Sequence, residues 1–319
     1  MEGMMEKNKK VYITGIILCV LLVLAIVSVA MQMDKRGVFC STEKKIALIT
    51  VDGPIVGGNE KGAVFGATTA TSGTLMRQIR EATADEQVGA ILLRLDSPGG
   101  SAAATQEVAR ELQRAKDKHI PIIVSMGDTA ASGAYWLATY GDKIFANPST
   151  ITGSIGVYMS YYDVQGLSKK IGVHEEKIKS GMHKDIFSPF RDMTPEERQI
   201  TQQMVNDMYN QFVMVVAKGR HMDPAVVKPL ADGRIYTGTQ AKALGLIDEL
   251  GNYYDALNYT KKKLHISDDD CIVTYDDMEN WKQWVHGQLQ STAVFQNRFA
   301  LYGQEVVRPL ALMKEANMQ

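Results

Sequence analysis

The chain has 319 residues, 45% of them hydrophobic and 22% charged, with 35 Lys and Arg against 36 Asp and Glu for a net charge of -1. That length holds one large domain or two ordinary ones. With no basic surplus to neutralise phosphates, the composition excludes nucleic acid as a partner, and it has no acidic excess either.

Residues 1–10 carry Lys7, Lys9 and Lys10, and no charged residue follows until Asp34. A helix over 11–33 would span about 34 Å at 1.5 Å per residue, enough for a hydrocarbon core of about 30 Å. The segment is expected to be a retained transmembrane anchor. Basic residues on its N-terminal side favour a cytoplasmic 1–10, with everything after Asp34 outside. A cleaved signal peptide ending near Ser28-Val29-Ala30 is the competing reading, but the apolar run exceeds the usual stretch of about 7–15 residues. Cys19 lies inside the run, and Cys40 follows Arg36-Gly37-Val38-Phe39, which has no lipobox character. Cys40 and Cys271 are left for one disulfide, with two free thiols the plainer alternative. The chain has no CxxC pair and no HExxH, so neither a metal nor a cofactor is expected.

A polar linker over 34–45 leads into alternating strand and helix signals. Ile46–Gly53 reads as a strand ending in a turn, and Gly57–Gly73 as a mobile Gly-, Thr- and Ala-rich loop. Thr74–Ala84 has helical spacing, and Val88–Gly100 is a buried strand running into a Gly turn. Ala102–Lys118 is a helix, Pro121–Ser125 a strand, and Ser132 opens another helix. KIFANP and ITGSIGVYM are strand-like. Thr194 then caps a long helix to about Arg220, with Pro195 at its first position and Glu197 closing a capping box. This alternation predicts an α/β domain over 46–266 with a largely parallel sheet. The tail over 267–319 breaks the rhythm and reads as an appendage.

In open parallel sheets the site lies beyond the carboxyl ends of the strands. Two turns fall there. In DSPGGS (Asp96–Ser101), Pro98 stiffens the turn and Gly99-Gly100 leave backbone N–H groups able to face a developing oxyanion. In AASGA, Ser132 sits at a helix start, and the N–H of Gly133 can donate to an attacked carbonyl. Each turn alone is an ordinary strand-to-helix joint or N-cap. Together they supply a nucleophile and two donors, Gly100 and Gly133. For a base, the segment Ile178–Glu197 offers His183 and Lys184 side by side. A lysine near pKa 10.4 is neutral in only about one molecule in 2,500 at pH 7, whereas a shift to about 8 leaves roughly a tenth neutral. Gly181, Met182, Ile186 and Phe187 would provide apolar surroundings for such a shift. In an extended segment His183 and Lys184 would point oppositely, so one of them faces Ser132.

The set DSPGGS, AASGAYW, TGSIGV and KSGMHKDIFSPFRDMTPEE, spaced as here, resembles the signal peptide peptidase A family in its short bacterial form. The resemblance covers roughly Lys45 to Tyr259. It implies a crotonase/Clp-protease-like fold of ββα superhelix type behind an N-terminal anchor, and degradation of cleaved signal peptides by a Ser–Lys dyad. It assigns the nucleophile to Ser132, the general base to Lys184, the lysine-orienting hydroxyl to Ser154, and the oxyanion donors to Gly100 and Gly133. It further implies a homo-oligomeric ring, eight protomers in the short form, in which a neighbouring protomer brings the lysine. Partners would then be signal peptides and other apolar peptides, membrane lipid, and copies of the chain itself. The Ala- and Gly-lined site suits small or aliphatic side chains. Three alternatives stay open: a Ser-His-Asp triad using His183, acyl-CoA chemistry on a crotonase-type fold, and a non-catalytic membrane scaffold.

Overall fold

Ile46–Val51, Val88–Leu95 and Ile122–Met126 are nearly unbroken apolar runs, the pattern of parallel strands covered on both faces. The computed structural model describes residue 20 and residues 44–58, 63–64, 67–266 and 271–275. The expected anchor over 11–33, but for residue 20, and most of the expected appendage lie outside the described residues. Among the described residues no helix is long and apolar enough to cross a membrane.

In chain order the elements are β1 (Lys45–Asp52), the short strands β2 (Ile55–Val56), β3 (Ala63–Val64), β4 (Ala67–Thr68) and β5 (Ala70–Thr71), α1 (Ser72–Ala84), β6 (Val88–Ser97), α2 (Ala102–Asp117) and β7 (Ile122–Ala131). Then come α3 (Gly133–Ala138), β8 (Lys143–Ala146), β9 (Ile151–Gly153), α4 (Gln165–Ile171), α5 (Pro195–Arg220) and α6 (Pro224–Val227). The chain continues through β10 (Ile235–Thr237), α7 (Gly238–Ala243), β11 (Glu249–Leu250), α8 (Tyr253–Leu264) and β12 (Ile272–Val273). The main sheet runs β10-β9-β7-β6-β1-β12, with β8 also beside β7 and β11 beside β8. Among the described residues of this sheet only β9 and β10 pair antiparallel. Ile46, Ala90, Leu92 and Ile123 share one face and pack on Ala256 and Leu257 of α8. Strand alternation turns Ile91, Leu93 and Val124 to the other face, and α1 packs on β1, β6 and α2. Burial of each such Ile or Leu contributes about 1.5–3 kcal/mol.

Several expectations are corrected. The strand expected to end at Ser125 continues to Ala131. On β7 the span Met126 to Ala130 faces only Leu95 to Ser97 on β6, and the Thr129 N–H donates to Asp96 Oδ1 at 3.1 Å within this bulge. The bulge splits the strand's partners: Ile123–Ser125 pair with β8, and Thr129–Ala131 with β9. ITGSIGVYM is a strand only through Gly153. Parts of Gly57–Gly73 are not loop, because β2 pairs with β5, β3 pairs with β4, and α1 begins at Ser72. Cys271 is buried and disulfide-bonded, so it is not a free thiol; the cysteine it bonds lies outside the described residues. The adjoining β12 pairs in parallel with β1, which carries the sheet beyond residue 266.

Candidate active site

Three parallel strands, β6, β7 and β9, end side by side, and the sequence-chosen residues follow each end. Gly99 and Gly100 follow β6, Ser132 follows β7, and Ser154 follows β9. Pairing of Ala131 with Gly153 sets Ser132 and Ser154 next to each other. The Ser132 N–H donates to the Gly153 carbonyl at 2.8 Å, and the Ser154 N–H to the Arg234 carbonyl at 2.9 Å. These bonds fix the backbone of both serines.

Ser132 has φ 53° and ψ -121° and makes no side-chain capping bond to α3. A non-glycine residue at such angles costs about 1–3 kcal/mol, a cost that surrounding structure must offset. The Ser132 carbonyl accepts from Trp136 N at 2.9 Å, while Trp136 packs at a tilt against Phe212 of α5 with centroids 5.0 Å apart. Tyr135 donates its hydroxyl to the Leu246 carbonyl at 2.9 Å, and burial pushes its phenol well above the usual range. The whole of α3 is buried, so the turn at its head is held from both sides. Ser132 itself is half-buried.

The two glycine turns touch. A Cβ on Gly99, whose φ is +90°, would lie 2.5 Å from Gly133 N and 2.9 Å from Ser132 Cβ. A Cβ on Gly133 would lie 3.4 Å from Gly100 N. Gly100 bridges Ile55 in a parallel sense, but the bonds use its neighbours: Ile55 N to Gly99 O at 2.8 Å and Ser101 N to Ile55 O at 2.9 Å. A residue bridged this way keeps its own N–H pointing away. Among the described residues neither the Gly100 nor the Gly133 N–H donates a hydrogen bond. Two unspent donors therefore lie close to one hydroxyl, the arrangement that stabilises a developing oxyanion.

His183 and Lys184 lie elsewhere, in the excursion between α4 and α5. The segment is a run of turns rather than extended chain. Lys184 is exposed and lines a shallow hollow with Ile178, Ile186 and Phe187. Met182 and Phe187 are themselves exposed, so the expected apolar surroundings do not bury the amine within one chain. Lys184 Nζ hydrogen-bonds neither Ser132 nor Ser154 of the same chain. His183 faces the head of α5, with Nε2 at 3.5 Å from Glu196 and Nδ1 at 3.8 Å from Glu197. It too makes no bond to Ser132.

The sequence pattern of peptidase family S49 matches residues 114–267. Over 237 residues the chain is 40% identical to a protein of Enterococcus faecium named "Putative signal peptide peptidase SppA", covering 74% of this chain and 69% of that one. The chain belongs to peptidase family S49. It is a serine protease of the SppA type. It is also similar to Protease 4 of Salmonella typhi, 40% identical over 66% of this chain and 33% of that protein. To the chloroplastic Serine protease SPPA of Arabidopsis thaliana it is 34% identical, over 60% of this chain and 28% of the relative.

Sequence reasoning missed some residues around Ser132. Gly153 supplies the carbonyl that anchors the Ser132 backbone, and Tyr236 fills the space beside it, 2.5 Å from where a Gly153 Cβ would be. Ile55 holds Gly100 in place. The positive φ of Gly153 was foreshadowed by the glycine in TGSIGV, whereas nothing near Ile55 or Arg234 marks them in sequence.

Proposed function

We propose that this S49 peptidase hydrolyses remnant signal peptides after their release from secreted preproteins. In this reading it works outside the cytoplasm, single-pass, anchored by 11–33. The fold is read in its finer detail as a crotonase/Clp-like ββα superhelix that assembles into a homo-oligomeric ring, an octamer by resemblance. Lys184 of a neighbouring protomer, oriented by Ser154, takes the Ser132 proton. Ser132 Oγ attacks the peptide carbonyl, and the N–H groups of Gly100 and Gly133 hold the oxyanion. Collapse expels the amine, which takes the proton back from Lys184. Water, activated by the same lysine, then releases the acyl-enzyme.

The observation that carries the reading is the strained Ser132 with two unbonded glycine N–H groups beside it. A neighbouring donor of the base is supported by the exposure of Lys184 and by exposed apolar side chains beside it, Ile178 and Phe187 in the same hollow and Met182 two residues before it. Covering that surface would also strip water from the amine, which a lysine base requires. Membrane placement is supported by the apolar run at 11–33, and the peptides a bilayer-bound protease meets are apolar ones.

The test is incubation of the full chain in detergent with a synthetic signal peptide, Leu-rich in its centre and ending in Ala-Gln-Ala. Cleavage lost in both Ser132→Ala and Lys184→Ala is the expected result. A Lys184→Ala chain that cleaves normally, with a dead His183→Ala chain, would replace the dyad by a histidine-based triad.

A further inference from the structure

The excursion that carries Lys184 has little apolar core of its own, and a cluster of charges fastens it. Arg191 is the centre. Its Nε and Nη2 donate to Asp185 Oδ2 and Oδ1 at 3.0 and 2.8 Å, and its Nη1 and Nη2 donate to Glu197 Oε2 and Oε1 at 2.8 and 2.6 Å. Nη2 also reaches the Asp185 carbonyl at 3.2 Å. One guanidinium thus grips two carboxylates, the first belonging to the residue after Lys184. The second is the buried Glu197, which closes the α5 capping box: its Oε2 accepts from Thr194 N at 3.0 Å, and Thr194 Oγ1 accepts from Glu197 N at 3.2 Å. Lys179 adds a bond from Nζ to Asp185 Oδ1 at 2.6 Å and another to the Met182 carbonyl at 3.0 Å.

Paired forks of this kind restrict geometry in a way isolated surface pairs do not. The guanidinium holds the Glu197 carboxyl down to about 2 and keeps that of Asp185 well below the usual carboxylate range. Both carboxylates are therefore charged at working pH. An uncompensated carboxylate within about 4–6 Å of an amine favours its protonated form, the wrong form for a base.

We propose that Arg191, seconded by Lys179, is the positioning residue of the base: it fixes the turn bearing Lys184 against the head of α5 and cancels the carboxylates of Asp185, next to Lys184, and of Glu197, at the head of α5. The inference rests on Lys184 being the base. Glu176 and Lys177 lie along the same hollow as the amine, and His183, the residue before Lys184, reaches Glu196 at the head of α5. Lys177 is occupied by Glu175 at 2.9 Å and Ser188 Oγ at 2.6 Å.

The test uses the full chain in detergent, a quenched peptide with a Leu-rich centre as probe, and kcat and KM across pH 5.5–10. Arg191→Ala should lower kcat at neutral pH by about 30-fold, less than the factor of about 10²–10⁴ that a whole general base supplies, and change KM little. Its acidic limb of kcat/KM should move to higher pH. Asp185→Asn should move that limb the opposite way, since a negative charge is removed. Arg191→Lys, keeping the charge but only a point donor, should shift the limb less than Arg191→Ala. Opposite shifts are not produced by mere loosening. If Lys184→Ala is dead while neither Arg191→Ala nor Asp185→Asn moves the limb, the inference is wrong and the base assignment stands. If Lys184→Ala is active, the base assignment fails and the inference with it. Should Arg191→Ala lose its thermal transition, Asp185→Asn decides by the direction of its shift.

Discussion

Gly99→Ala probes the contact between the two glycine turns while leaving Ser132, Gly100, Gly133 and Lys184 themselves unsubstituted. The new methyl would sit 2.5 Å from Gly133 N, 2.8 Å from the Ala131 carbonyl and 2.9 Å from Ser132 Cβ, on a residue with φ +90°. Two of those neighbours are backbone atoms, so no side chain can rotate away. Ordinary contact begins near 3.4 Å. The turn must therefore open by close to 1 Å, on top of a left-handed backbone cost of about 1–2 kcal/mol. A displacement of about 1 Å at a reacting centre costs about 100-fold, and loss of one oxyanion donor about 10²–10³. The expected result is a kcat about 100-fold below parent with KM changed much less, measured on the quenched peptide. Gly166→Ala, where a Cβ meets nothing within 4 Å, is the control and should stay at parent level. A Gly99→Ala chain within threefold of parent kcat would refute the geometry of the site.

Two further outcomes are expected. The Glu197 carboxyl is lowered from 4.5 to about 2 by Arg191 and by Thr194, so its contribution is complete above pH 4.5 and disappears as pH falls through 2. Hydrogen exchange of residues 178–197 should lose protection in that window, and in Arg191→Ala the loss should begin at higher pH; protection unchanged down to pH 2 would contradict the ion-pair cluster. Cys271→Ser should lower Tm under oxidising conditions by the equivalent of about 2–4 kcal/mol and make Tm insensitive to reductant, whereas a Tm equal to parent would show that the disulfide does not stabilise the sheet edge.

The sheet was legible because its strands are buried on both faces. Val88–Leu95 and Ile122–Val124 are apolar runs too short for helices, and α5 announced itself through Thr194, Pro195 and Glu197. What stayed hidden depends on distant partners. SMGDTAA looks like loop because its residues are small and polar; it is a strand because β6 and β9 pair with it. Ile272-Val273 is too short to show any period, and the acidic run before it suggested a tail, yet β1 gives it a partner. At the site, Ser132 and its glycines stood out only as a pair of turns at neighbouring strand ends, since each turn alone reads as an ordinary strand-to-helix joint. Gly153, Ile55 and Arg234 act through backbone atoms, which leave no trace in residue type. Arg191 was in view within FRDMTPEE, but only the fold shows its two carboxylates converging on it.

The proposed mechanism requires that a serine of one copy be activated by the lysine of the next. Co-expression of Ser132→Ala and Lys184→Ala chains under separate tags, followed by purification through both tags, gives assemblies in which an intact Ser132 can meet an intact Lys184 only across a subunit boundary. The account predicts that each variant alone is inactive and that the mixed assembly cleaves the quenched peptide. A mixed assembly as dead as its components would contradict it.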